Sequence, residues 1–191
     1  MLKVTLYHNL IEVVKKGAKL WDASNTAIAV EAANMLPSIC GNSLNGLKVD
    51  LVPLAQKYNV SIVAWVFSAF GEPHVKSFIE PFLSRVQGDD VGLIQLNIEE
   101  KRIKMPFLWA MRPWIKAQTK PDRRENYLIC YKDLGDIKKD IGISNSVLGW
   151  VTLVDKFGRI RWIAHGMAKE EEIETLINLS NVLKDSNYIQ Y

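Results

Sequence analysis

The sequence predicts an α/β domain, a central mixed sheet with helices on both faces, carrying an N-terminal helical extension. Three observations predict it. Val60-Ser61-Ile62-Val63-Ala64-Trp65-Val66-Phe67 is rich in β-branched and aromatic residues with no polar alternation after Ser61, the pattern of a strand buried on both faces. A helical repeat and a second strand pattern follow it within about forty residues, which makes a right-handed βαβ unit. Near the C-terminus, the apolar runs Gly149–Val154 and Ile160–Ala164 flank Asp155-Lys156-Phe157-Gly158, a tight turn with glycine where positive φ is needed, and a charged-then-apolar helical pattern comes next.

The elements read in order as follows. Leu6, Leu10, Val13, Val14, Leu20 and Trp21 recur near helical spacing, so residues 6–21 predict an amphipathic helix interrupted at Gly17. An Ala-rich second helix is expected over Asn25–Leu36, closed by Pro37. This extension is either a packing appendage or a docking arm for a larger partner. Asn42–Gly46 is a turn cluster, and Val49–Tyr58 reads as a short strand or helix before the buried run. Ser68–Glu72 is a loop; Pro73 suits a helix's first turn, and Val75, Phe78, Ile79, Phe82, Leu83 and Val86 repeat at three and four, with Pro81 expected to kink the helix. Gly92–Glu99 is the next strand, Met105–Ala117 an aromatic and basic helix, Asn126–Tyr131 a strand and Leu134–Ile141 a short helix. After the hairpin, Lys169–Leu183 closes the fold, with Glu170, Glu171 and Glu172 where acids favour a helix N-terminus. A hairpin feeding a last helix is how thioredoxin-like domains end, so Val60–Phe67 and Val151–Asp155 are expected among the interior strands. The expected divisions are an extension at 1–41, the domain at 42–185 and a tail at 186–191.

With 191 residues and 48% hydrophobic content, the chain can bury one core and leaves little room for two. Its net charge of +3 is too small to imply nucleic acid. No apolar run approaches the roughly 20 residues that span a bilayer. The first 20 residues hold Lys3, Lys15, Lys16 and Lys19 but no arginine, a weak presequence. Cys40 and Cys130 are the only cysteines and lie far apart, so a reducing compartment or an inert core thiol is expected rather than a disulfide framework.

Chemistry is constrained by what is missing. A thioredoxin-like redox site would follow the first buried strand, where a helix N-terminus activates a thiol. That segment is Ser68-Ala69-Phe70-Gly71-Glu72-Pro73-His74, without cysteine, and Ser146-Val147-Leu148-Gly149 before the hairpin lacks the proline usual there. Thiol exchange at this place is therefore excluded. His8, His74 and His165 are scattered, so no metal site is expected, and no cofactor motif is present. Glu72 with His74 is the one candidate acid/base pair. What remains is a basic and aromatic cluster: Lys101, Arg102, Lys104, Arg112, Lys116, Lys120, Arg123 and Arg124 around Trp109 and Trp114. It is either a helix whose apolar stripe covers the sheet while its bases are solvated, or a partner-binding or membrane-interfacial helix.

Trp109–Trp114, Arg123-Arg124 with Tyr127, Ile141-Gly142-Ile143-Ser144-Asn145, Gly149–Asp155 and Gly158–Gly166 with Glu171-Glu172 together resemble the mitochondrial assembly factors of the ATP synthase Fo sector, over Asn42–Leu183. The resemblance implies a non-enzymatic, thioredoxin-like chaperone, peripheral at the matrix face of the mitochondrial inner membrane, that helps the proton-channel subunit join the ring of small Fo subunits. A permanent structural subunit of a mitochondrial membrane complex in the same fold is the alternative, and a thiol peroxidase using Cys130 a more distant one. No catalytic, cofactor or metal residue is expected. The candidate partner-binding residues are Trp109, Arg112, Trp114, Lys116, Arg123, Arg124, Tyr127, Asn145, Arg159, Arg161 and Trp162, with peripheral contact to anionic lipid through Met105–Lys116. In the hairpin, Ile160 is expected in the core and at least one of Arg159 and Arg161 in a salt bridge or at a partner surface.

Overall fold

The protein is described here by a computed structural model covering residues 11–13, 18–86 and 91–185. A short antiparallel hairpin, β1 (Cys40–Ser43) and β2 (Lys48–Asp50), opens the sheet. The sequence Cys-Gly-Asn-Ser carries no strand propensity; β1 forms because β2 and β5 (Tyr127–Cys130) bond it from both sides. The carboxylate of Asp50 then accepts the Val52 N–H at 2.9 Å and caps α1 (Leu51–Ala55).

β3 (Val60–Val66) is buried at every position, as its unbroken apolar run predicts. Glycine and Pro73 lead into α2 (Glu72–Arg85), which runs through Pro81, and β4 (Val91–Ile98) returns parallel to β3. α3 (Met105–Gln118) crosses to β5, parallel to β4; α4 (Ile137–Asp140) precedes the hairpin of β6 (Trp150–Asp155) and β7 (Ile160–His165), and α5 (Glu170–Lys184) ends the fold. The strand order is β2-β1-β5-β4-β3-β6-β7, with β3 and β6 both interior.

The sheet separates two apolar layers. On one face α2 and α5 bring Val75, Phe78, Phe82 and Leu176 against Ile62, Val151 and Trp162. On the other, α1 and the Leu134–Leu148 segment cover Trp65, Leu96, Leu128 and Trp150.

The second expected N-terminal helix does not form. Over Asn25–Leu36 only Val30–Ala32 makes a 3₁₀ turn. The chain instead runs as a strap along β7: Ile28 N–H donates to the Arg161 carbonyl (2.7 Å), Ile160 N–H to Asn34 (2.8 Å) and Leu36 N–H to Gly158 (2.7 Å). Helix propensity is a weak prior, and bonding to an open strand edge outweighs it. Of the first expected helix, Ile11–Val13 are helical and Leu20 and Trp21 belong to the strap; Leu6, Leu10 and Val14 lie outside the described residues, as does the 186–191 tail.

Asp155 ties turn, strand and strap together. Its Oδ1 accepts the N–H groups of Phe157 and Arg159, both at 3.0 Å, which closes the turn around Gly158 (φ +82°). Its Oδ2 meets Arg159 Nε at 2.7 Å and Arg161 Nη1 at 3.4 Å, and Arg161 Nε donates to the Ile28 carbonyl of the strap at 2.8 Å. The carboxylate is almost fully buried, so removing it strands two guanidinium groups. Asp155→Ala is therefore expected to lower unfolding free energy by about 3 kcal/mol in urea titrations, and to raise proteolysis within residues 18–39.

Candidate functional site

Two places compete for function: the loops beyond the end of β3, and the helix α3. The loops form first. Ser68 accepts the Gly71 N–H with its hydroxyl at 3.3 Å, and that hydroxyl donates to the Val147 carbonyl at 2.9 Å, drawing the loop before α2 onto the loop before β6. Gly71 and Gly149 then meet backbone to backbone. A Cβ on Gly149 would lie 2.1 Å from the Gly71 carbonyl oxygen, so no side chain fits. The Gly149 N–H donates to His74 Nδ1 at 3.2 Å, and Phe70 stands edge-on to the imidazole with centroids 5.1 Å apart. Burial, with Lys19 nearby, lowers the His74 pKa and keeps the ring neutral, as an acceptor Nδ1 requires. The expected Glu72–His74 acid/base pair is thus corrected: Nδ1 is engaged with backbone, and Glu72 pairs with Lys76 at 2.9 Å.

Neither cysteine supplies what this corner lacks. Cys130 is buried on β5 and its thiol is pushed up to about 12, chiefly by burial, so thiolate is essentially absent at neutral pH. Cys40 is exposed, its thiol donating to Asp50 Oδ2 at 3.6 Å. Both are free thiols.

A second buried group sits behind the hairpin. His165 Nε2 accepts the Leu20 N–H at 2.8 Å, its ring stacks on Trp150 with centroids 4.5 Å apart, and Trp21 covers it from the strap. Beside it Lys19 pairs with Glu172, whose other oxygen accepts the Ala23 N–H at 2.8 Å. Burial and Lys19 lower the His165 pKa to about 4.

The basic and aromatic cluster is arranged differently. No residue of α3 is buried. Trp109 is 70% exposed and Trp114 59%, which overturns the alternative that both are core residues covering the sheet. One side of α3, with Leu108, Met111 and Ile115, faces a groove of about 720 Å³ whose floor is Leu93, Gln95 and Asn97 of β4 and whose far wall is Lys76, Ile79 and Glu80 of α2. Arg112 anchors the helix by donating from Nη2 to the Ser43 carbonyl at 2.9 Å. Lys116 is half-buried, Arg123 lines the groove, Arg124 Nε donates to the Thr119 carbonyl at 3.0 Å, and the half-buried Tyr127 hydroxyl accepts from Asn97 Nδ2 at 3.3 Å. Burial raises the Tyr127 pKa.

The structure therefore brings Trp109, Arg112, Trp114, Lys116, Arg123, Arg124 and Tyr127 into one region and separates the remaining four. Asn145 and Trp162 are buried: Asn145 Oδ1 accepts the Val147 N–H at 2.9 Å, and Trp162 Nε1 donates to the Ser24 carbonyl at 2.7 Å. Arg159 and Arg161 are committed to Asp155, and Ile160 is in the core. Asn145 and Trp162 thus lie in the interior, whereas Arg159 and Arg161 are half-buried and held by Asp155. The groove floor was not singled out from sequence, although the Leu93-x-Gln95-x-Asn97 alternation marks a strand face open to solvent.

A family model described as ATP10 protein matches residues 2–183. Two curated relatives, each named mitochondrial ATPase complex subunit ATP10, are similar. The one from Eremothecium gossypii is 26% identical over 153 residues, 76% of this chain and 56% of the relative. That from Saccharomyces cerevisiae is 23% identical over 180 residues, 85% of this chain and 64% of the relative. The chain thus spans 56–64% of the length of the curated relatives it matches. Among solved structures, a SCO1/SenC family lipoprotein from Bacillus anthracis aligns with TM-score 0.55 at 11% identity, over 80% of this chain and 96% of that one. A member of the Sco family of cytochrome c oxidase assembly proteins aligns with TM-score 0.53 at 10% identity, over 81% and 95%. A secreted thiol-disulfide isomerase from Corynebacterium glutamicum aligns with TM-score 0.52 at 14% identity, over 84% and 91%. These similarities establish the thioredoxin-like fold.

The His165 environment has a measurable consequence. Its folded pKa of about 4 lies below the usual 6.5, so the unfolded chain binds the extra proton as pH falls. The stabilisation from the neutral ring is complete above about pH 6.5 and is lost toward about pH 4. Urea unfolding across that window should show a stability slope of up to about 1.4 kcal/mol per pH unit beyond that of His165→Gln, which cannot titrate.

Proposed function

The chain belongs to the ATP10 protein family, and from that premise we propose that it acts without redox chemistry as an assembly factor of the mitochondrial ATP synthase. It works peripherally at the matrix face of the inner membrane and helps the proton-channel subunit join the ring of small Fo subunits. Both curated relatives carry the name of a mitochondrial ATPase complex subunit, which supports the complex as partner. Among the described residues no helix is long and apolar enough to cross a membrane, which suits peripheral attachment.

The observation that carries the non-enzymatic reading is the joint between Gly71, Gly149 and His74. Where a thioredoxin-like oxidoreductase would present a thiol on a helix N-terminus, this chain has two backbones in contact and a neutral, engaged imidazole. What the molecule offers to others is the region of Trp109, Arg112, Trp114, Lys116, Arg123, Arg124 and Tyr127.

Affinity purification of the tagged full chain from mitochondria, with quantitative mass spectrometry, is the test. Fo subunits should co-purify in amounts well below those of the mature complex, and the Cys40→Ser/Cys130→Ser variant should recover the same set. Fixed equal stoichiometry with mature ATP synthase would instead identify a resident subunit. Peroxide turnover by the wild type that the double variant loses would overturn the non-enzymatic reading.

A further inference from the structure

A helix lying on a sheet ordinarily turns its apolar residues inward and its charges outward. α3 departs from this: Leu108, Met111 and Ile115 face inward, but further apolar residues face out and the charges do not. Its two charged residues, Arg112 and Lys116, are half-buried on the side toward the sheet, whereas its exposed residues include Phe107, Trp109, Pro113 and Trp114 and no charged one. At 100° per residue, Trp109 and Trp114 stand about 140° apart and flank the outward face rather than stacking along one line. Ile103, in the turn before the helix, is 89% exposed and lengthens the patch.

Between Glu100 and Asp122 the charge has one sign. From Lys101 to Pro121 the chain carries Lys101, Arg102, Lys104, Arg112, Lys116 and Lys120 and no acidic residue. Lys104 and Lys120 are exposed and bracket the two ends of α3. The acids that line the groove are Glu72 and Glu80 on α2 across it and Glu99 just past β4; Glu72 is already paired with Lys76, and Glu99 accepts the Lys101 N–H at 2.9 Å. An outward apolar face with tryptophan at both margins and bases at both ends matches a bilayer boundary, where indole sits at headgroup level and lysine reaches phosphate.

We propose that the outward face of α3 docks on an anionic phospholipid surface, with Phe107, Trp109 and Trp114 entering the acyl boundary and Lys104 and Lys120 meeting headgroup phosphates. This rests on the reading of the protein as peripheral to a membrane and adds which surface makes the attachment. Two independent contributions hold it: apolar insertion, insensitive to salt, and headgroup attraction, which screening weakens. The bond from Arg112 to Ser43 holds that guanidinium toward β1, while Trp109 and Trp114 stay exposed.

Flotation of the full chain with phosphatidylcholine vesicles containing cardiolipin, and with pure phosphatidylcholine vesicles, tests the proposal. The wild type should float with the anionic vesicles at low salt and far less with the neutral ones. Trp109→Ser/Trp114→Ser should lower binding by about tenfold or more, and Lys104→Glu/Lys120→Glu by a similar factor that rising salt no longer enlarges. All four side chains are exposed, so unfolding midpoints should stay at the wild-type value. A wild type that remains soluble at low salt overturns the proposal, as does tryptophan-variant binding equal to wild type. If the wild type does not float and the tryptophan variant loses Fo subunits in the affinity purification, α3 is a protein interface and the lipid proposal fails while the assembly reading stands. Floating without any Fo subunits co-purifying would fail the assembly reading alone.

Discussion

Beyond the end of β3, two chain segments approach so closely that only glycine fits at the contact. Gly71 and Gly149 meet through backbone atoms, Ser68 bridges to Val147, and His74 receives the Gly149 N–H. The contact fixes where α2 begins relative to β6, and through them the two interior strands and the helical layer that covers them. It also occupies the place where a thiol-bearing helix terminus would need access to a disulfide. At this place the thioredoxin-like framework carries a main-chain contact and no cysteine.

The close packing on that side contrasts with α3. The helix has no buried residue, is tied by Arg112 to β1, and leaves a groove above β4 where a fully packed helix would have sealed the sheet. Burying Phe107 and Trp109 within the fold would have contributed a few kcal/mol of stability through lost apolar exposure. Their position outside is the physical reason to look for binding here rather than at the closed loops. The strap serves the opposite purpose: by bonding to β7 it covers an edge strand, and Asp155 locks the turn from which that edge begins.

Much of this was legible in sequence, and the failures have definite causes. β3, the β6–β7 hairpin and α5 follow from unbroken apolar runs, a turn glycine and an acid-led helix start, all local signals. β1 was not legible because Cys-Gly-Asn-Ser becomes a strand only through its neighbours. Asn25–Leu36 reads as a helix from its alanines, yet its backbone groups bond to β7, and a contact across more than a hundred positions leaves no local trace. Periodicity located α3 but could not orient it, since an apolar stripe looks the same whether it faces a sheet or water. For the same reason Trp162 and Asn145 stood beside Trp109 as candidates, although their burial depends on the strap and the hairpin rather than on residue type.

Amide hydrogen exchange at Gly149, followed by NMR in the native protein, tests the closed joint most directly. If its N–H is held by His74 within a sealed backbone contact, exchange should require unfolding on the scale of the whole domain and be as slow as at interior β3 amides such as Ile62. Exchange as fast as at an exposed loop position would mean that the two segments part in the native state. The space for a reactive site would then be open, and the account of this corner as a structural joint would be wrong.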